Sequence, residues 1–223
     1  MILYVDTRFD TIAFALRDLE RSLERRGVFS LRRRLSDAGQ AKLPQPQILI
    51  DIDAVGEGLS ESYAIRRSGD RIEVTGSDHV GAMYGVLDLA ETIEMFGFDG
   101  VVDKRETPFH EIRGVKFNLP VEPYDTGDPI EKNYSTFLDP QFWEKYIDFL
   151  ARNRYNCLSL WSELPFHMMF RLAKYPDTCP YDEIELQRYK DLFKFIFAHA
   201  RKRGIRTYII TWNIRMIPAI AAG

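Results

Sequence analysis

Residues 139–161 read DPQFWEKYIDFLARNRYNCLSLW. An aspartate followed by proline is a helix start: the carboxylate accepts from N–H groups that the first turn leaves free, and proline has no N–H to leave unsatisfied there. Phe142, Tyr146, Phe149 and Leu150 then recur at helical spacing and are expected to face inward across Pro140–Arg152. Asn156–Trp161 follows as a short apolar run, the pattern of a buried strand. On either side the rhythm repeats. Arg113–Leu119 reads as a preceding strand, Glu183–Arg203 as a second long helix and Ile205–Asn213 as a third strand. Asp182 with Glu185 three residues on has capping-box spacing, Leu186, Tyr189, Leu192, Phe193 and Phe197 are expected to be buried, and Gly204 ends the helix. Strand, helix, strand, helix, strand predicts a parallel sheet.

Upstream the pattern changes. Ile2–Val5 reads as a strand and Thr11–Arg26 as an amphipathic helix with Ile12, Leu16, Leu19 and Leu23 on one face, ending at Gly27. Ile48–Ile52 is a second strand, and Tyr63–Ile65 and Ile72–Val74 bracket Ser68-Gly69-Asp70 as a hairpin. Ser77 or Asp78 then caps a helix carrying Val80, Met83, Leu87, Ala90 and Ile93 inward. This is a small α/β layer of two helices on about four strands. Only 8 aromatic residues fall in residues 1–107 against 21 in 108–223, and the formal charge moves from −5 to +2 between the two stretches. Two domains are therefore expected, 1–107 and 108–223, with the break in the aperiodic stretch Asp99–Pro108. Arg25, Arg26, Arg32, Arg33 and Arg34 are read as a solvated connector in an otherwise acidic domain.

The bulk numbers exclude several classes. A chain of 223 residues that is 45% hydrophobic supplies a real core, so disorder is not its main state. A net charge of −3 gives no electrostatic footprint for nucleic acid or an anionic membrane, and no apolar run approaches the ~18 residues of a membrane span. Cys157 and Cys179 read as plain thiols, and His79, His110, His167 and His199 are too scattered for a structural zinc site. No glycine-rich strand–helix turn invites a nucleotide, so a nucleotide-dependent enzyme is the weakest of the alternatives and no cofactor is expected.

In parallel α/β folds chemistry collects where strands run out at their C-terminal ends. The three ends here are Phe117-Asn118-Leu119, Leu160-Trp161-Ser162-Glu163 and Thr211-Trp212-Asn213. Amides and a carboxylate beside indoles suit a sugar, whose C–H face lies on an aromatic ring while its hydroxyls need planar polar partners. Asn118, Trp161, Trp212 and Asn213 are thus candidate substrate-binding residues, with Glu163 as the candidate catalytic carboxylate and His167 as a further candidate in a loop. Core or rim packing of the tryptophans, turn formation by the asparagines and a solvated loop at Glu163 are the structural alternatives. Arg113, at the start of a buried strand, needs a carboxylate from the protein or a ligand. The loops Pro120–Leu138 and Ser162–Tyr181 are placed to form pocket walls.

Tyr63-Ala64-Ile65, Arg71–Gly76 and Gly81-Ala82-Met83-Tyr84-Gly85-Val86-Leu87-Asp88-Leu89, followed by Pro108 and Ile112-Arg113-Gly114-Val115, resemble the N-terminal domain and first barrel strand of family 20 glycoside hydrolases and related α-glucuronidase-type enzymes. The resemblance implies a small α/β domain ahead of a catalytic TIM (β/α)₈ barrel, and a sugar-contacting role for Arg113. The family's acidic pair at the end of strand four has no counterpart, because the only Asp-Glu dipeptide, Asp182-Glu183, is a helix start. N-acetylhexosamine specificity is not carried over, and a uronic acid or deoxy sugar is the expected substrate.

A TIM barrel takes ~250 residues, whereas residues 108–223 hold three strands and two helices. The fold class expected is therefore α/β, a small α+β domain followed by an incomplete barrel, in an N-terminal fragment of a longer enzyme. Glycosidic cleavage ordinarily needs two carboxyls, and Glu163 is one. The expected function is a glycoside hydrolase acting on oligo- or polysaccharides, its main acid/base beyond residue 223 and the fragment inactive alone. A non-catalytic carbohydrate-binding or scaffolding protein is the alternative. The expected partners are a carbohydrate and the remainder of the barrel or an oligomer; no nucleic acid, membrane or metal is expected. No leader is visible, and the resemblance leaves periplasmic or secreted placement open.

Overall fold

The computed structural model describes residues 1–6, 8–38, 46–53, 60–121, 128–162 and 165–211. It divides into two compact units, Met1–Glu111 and Ile112–Gly223.

In the first unit, strands β1 (Ile2–Val5), β2 (Leu31–Arg34), β3 (Gln47–Ile52), β4 (Tyr63–Ser68), β5 (Arg71–Gly76) and β6 (Lys104–Glu106) form one sheet in the order β2-β1-β3-β5-β4-β6. Helices α1 (Asp10–Arg25) and α2 (His79–Phe96) pack on each other, and α2 lies on the sheet. The apolar face read for α1 is fully buried, as is the one read for α2. Asp78 is the cap of α2, its Oδ1 accepting from the backbone of Val80 and Gly81 at 2.9 and 2.7 Å. Gly69 closes the β4–β5 hairpin at φ +57°, a conformation that suits glycine.

The glycines of α2 set how closely it approaches the sheet. A Cβ on Gly81 would stand 2.2 Å from the carbonyl oxygen of Ser62, and one on Gly85 2.6 Å from Val74 Cγ1. Across the same interface the half-buried Tyr63 hydroxyl donates to Asp88 Oδ2 at 2.6 Å and Lys104 Nζ donates to Asp88 Oδ1 at 2.6 Å. That pairing lets an acidic side chain sit almost buried on the inner face of a helix.

Two expectations are corrected here. The sheet has six strands, because the exposed segments β2 and β6 add to its two edges. The arginines 32–34 are therefore an edge strand in parallel pairing with β1 rather than a connector, and β6 lies within the stretch read as aperiodic. All of β2 is exposed, and Arg32 pairs with Glu20 of α1 at 2.6 Å.

The second unit holds β7 (Gly114–Asn118), α3 (Asp128–Phe137), α4 (Pro140–Arg152), β8 (Cys157–Trp161), α5 (Glu183–Lys202) and β9 (Arg206–Ile210). β7, β8 and β9 are parallel in that order, so the crossover reading of residues 113–211 stands. Asp139 caps α4 through Gln141 N at 2.9 Å, and the Asp182/Glu185 capping box of α5 is formed.

The loop expected at Pro120–Leu138 contains helix α3, whose Phe137 is buried and accepts from Trp143 Nε1 at 2.7 Å. The inward face of α4 is also corrected. Trp143, Ile147, Leu150 and Ala151 are buried, Phe142 and Tyr146 are half-buried, and Phe149 is 56% exposed. Two apolar stripes run along this helix, and the one containing Trp143 meets the core. In α5 the expected residues are buried except Phe197, which is half-buried, and Ile196 and Ala200 join them.

Candidate functional site

Parallel register aligns the sheet ends. Asn118 pairs with Trp161 and Trp161 with Ile210, which makes one transverse row at the C-terminal edge. The ladder runs one step further, with Leu119 N donating to the Trp161 carbonyl at 2.7 Å and Ser162 N to that of Ile210 at 3.4 Å. Because side chains alternate along a strand, Gly114, Lys116 and Asn118 share a face with Cys157, Ser159 and Trp161 and with Arg206, Tyr208 and Ile210. The other face carries Phe117, which packs on Phe142, Trp143 and Tyr146 of α4 with centroids 4.8–6.0 Å apart. The helices therefore cover one side of the sheet. On the first face Lys116, Asn118, Tyr208 and Ile210 are exposed.

The structure treats the expected site residues differently. Asn118 is exposed at the edge of the sheet, where its amide is accessible to a ligand. Trp161 is beside it but only 5% exposed, since it ends the central strand and has a neighbour on each side. Lys116 Nζ lies 4.6 Å from the centroid of its ring, a cation–π contact on one face of the indole. Arg113 precedes β7, about 16 Å of extended chain from Asn118. Its Nε donates to the Arg154 carbonyl at 2.7 Å, and its backbone exchanges bonds with Asn156. Part of the partner expected for Arg113 is thus a backbone carbonyl. His167 is half-buried in a short helical turn, Pro165–Met168, and its carbonyl accepts from Cys179 Sγ at 3.4 Å. Glu163, Trp212 and Asn213 lie outside the described residues.

Sequence reading missed two residues. Lys116 was legible by period two, since it sits two positions before Asn118 and must share its face. Arg171 had no sequence signal. Its guanidinium bonds Glu183 Oε1 at 3.1 Å and the carbonyls of Pro176 and Tyr181 at 3.3 and 2.7 Å, bracing the loop between β8 and α5.

Behind the sheet, Asp148 of α4 accepts from His199 Nε2 at 2.9 Å and Arg203 Nε at 2.7 Å, all three side chains being nearly buried. Burial alone would raise the Asp148 carboxyl; the hydrogen bonds from His199 and Arg203 outweigh it and hold the group below its ordinary value. Burial, followed by the hydrogen bond with Tyr134, raises the Tyr189 hydroxyl well above the ordinary tyrosine range. Among the described residues no three His, Cys, Asp or Glu side chains gather as a metal site, and no helix is long and apolar enough to cross a membrane.

No protein-family model matches the chain, and no curated protein matches it. Solved structures do. A GH138 enzyme targeting pectin rhamnogalacturonan II superposes with a TM-score of 0.81 at 24% identity, over 100% of this chain and 26% of that one. The fold is similar to that of glycoside hydrolases. A GH115 4-O-methyl-α-glucuronidase with specificity for decorated arabinogalactans gives 0.56 at 17% identity, over 92% of this chain and 28% of that one. A β-N-acetylhexosaminidase from Bacteroides fragilis gives 0.56 at 16% identity, over 93% and 39%. The chain therefore spans between a quarter and two fifths of the length of these neighbours.

Proposed function

We propose that the chain is the opening part of a glycoside hydrolase that cleaves oligo- or polysaccharides, and that residues 108–223 begin a TIM barrel. The observation that carries this reading is the row of three parallel strand ends, with Asn118 exposed beside Trp161, in a fold whose solved neighbours are glycosidases. The division into an α/β domain, 1–107, and a barrel beginning at 108 belongs to the same proposal. On one sheet face Lys116, Asn118, Tyr208 and Ile210 are exposed while α4 packs on the other, which suits three staves of an unclosed barrel.

In this reading Asn118 bonds a sugar hydroxyl, Glu163 brings one carboxylate to the same edge, and Trp212 and Asn213 extend the subsite from the third strand. His167 stands in its wall. Trp161 is a wall and not a platform, because Lys116 covers its ring. Arg113 braces the start of the first strand, and a direct sugar contact would require it to reach along the sheet. A carboxylate opposing Glu163 comes from strands after residue 223, and the spacing of the two acids sets retention or inversion. The substrate follows the neighbours only as far as a carbohydrate, with an acidic or deoxy sugar preferred.

The test compares the 223-residue chain with the protein extended through its continuing reading frame, each assayed for reducing ends released from pectic and xylan-type oligosaccharides. The extended form is expected to turn over and the shorter one not. Full activity in the shorter form would overturn the divided site. Sugar-dependent tryptophan fluorescence with no turnover by the extended form would favour a non-catalytic binding protein instead.

A further inference from the structure

The face of the β7-β8-β9 sheet that carries Lys116 is charged in one sense only at its described strand positions. Its nine positions are Gly114, Lys116, Asn118, Cys157, Ser159, Trp161, Arg206, Tyr208 and Ile210, and none is acidic. Lys116 is on the middle row, one step below the edge, in the strand facing the indole of Trp161. A cation–π contact stabilises an ammonium group modestly while water still reaches it. It does not replace a counter-ion once water is removed, because an unpaired charge in a packed interior is far more costly.

On the reading that these strands begin a barrel, water is removed. The inward side chains of such a barrel stack in layers contributed by alternate strands, and the interior is filled, not hollow. Lys116 then enters a layer as the neighbour of side chains from strands across the barrel. We propose that Lys116 is one half of an interior ion pair whose carboxylate is carried by a later strand of the same polypeptide. The partner is an Asp or Glu at an inward-facing position, in the layer below the substrate-facing edge. Depth argues for the protein's own acid over one on a substrate: a sugar at the edge meets Asn118 first, two residues closer to the rim. The pairing also selects how the barrel closes, since a register slip of one residue would turn the acid to the helix face and strand both charges.

The experiment uses the full-length protein and its Lys116→Met and Lys116→Arg variants, with thermal midpoints measured from pH 3 to pH 8. Lys116→Met is expected to lower the midpoint by about 5 °C or more at pH 7. That deficit should shrink in acid, where the orphaned carboxyl becomes neutral, while Lys116→Arg should stay near the parent. A Lys116→Met deficit that is absent, or equal at every pH, overturns the pairing. So does an unchanged midpoint with lost preference for acidic over neutral oligosaccharides, which would make the partner a substrate. If Lys116→Met yields no folded protein, a folded Lys116→Arg with the parent midpoint supports a charge requirement, and failure of both overturns it. Parent protein that folds but hydrolyses nothing sinks the glycosidase reading and leaves this comparison intact.

Discussion

Gly81 and Gly85 are glycines because the backbone of α2 comes within contact distance of β4 and β5. Alanine at Gly81 places a methyl 2.2 Å from a backbone carbonyl that cannot rotate away, whereas at Gly85 the first obstacle is the side chain of Val74 at 2.6 Å. Gly81→Ala is therefore expected to cost about 2–3 kcal/mol in urea unfolding and Gly85→Ala less, near the lower end of what overpacking costs. These residues were prominent in the sequence as part of a resemblance, and only the interface supplies their reason.

Asp148 shows the opposite case, since nothing near it in sequence announces His199 or Arg203. Its carboxyl is held below the ordinary value, so its contribution is fully present above about pH 4. It is lost as pH falls through the lower folded value. Asp148→Asn is expected to cost about 3 kcal/mol at pH 7, and the gap from the parent should narrow progressively as the pH is taken down through the lowered folded value, which urea melts across pH will read. At the sheet edge, Asn118→Ala in the extended protein should lower kcat/KM about tenfold or more while leaving the unfolding midpoint unchanged, as loss of one hydrogen bond to a hydroxyl implies.

At the scale of the element, what was legible depended on burial. α1, α2 and α5 carry apolar stripes that are nearly continuous, and β3, β5 and β8 are central strands whose composition leaves little choice. The edge strands β2 and β6 have exposed faces, so LRRR and KRE carry no alternation from which to read a strand. α3 lay in a segment read as polar loop, although Asp128-Pro129 repeats the helix-opening pair of Asp139-Pro140 and Tyr134 and Phe137 follow at helical spacing. In α4 the competing stripes make the point measurable. Trp143→Ala should cost about 3–5 kcal/mol and Phe149→Ala within about 0.5 kcal/mol; equal losses would restore the face read from sequence. The candidate site was half legible. Reading the C-terminal strand ends brought Asn118 and Trp161 together, but no pattern along the chain shows that Lys116 lies over the indole.

For the whole molecule, the described residues of Met1–Glu111 have their own sheet, the helices α1 and α2 and a buried core of Leu3, Phe14, Leu19, Ile50, Val74 and Met83. A polypeptide of residues 1–111 should therefore show a single cooperative urea transition by circular dichroism; a broad, non-cooperative one would mean that its core depends on residues outside it. The residues after 111 differ in kind, since β7 and β9 are the edges of a three-stranded sheet on which Lys116, Asn118, Tyr208 and Ile210 are exposed.

β6, the last strand of the first sheet, is complete at Glu106, and β9 of the second ends at Ile210. A ribosome adding 5–20 residues per second needs about 5–20 s to cover that interval. Through those seconds the nascent chain can present a finished leading sheet while β7 waits for β8 and β8 for β9. The bare strands are then the first client that a chaperone at the tunnel mouth would meet, and slowing translation after codon 111 should lengthen that encounter.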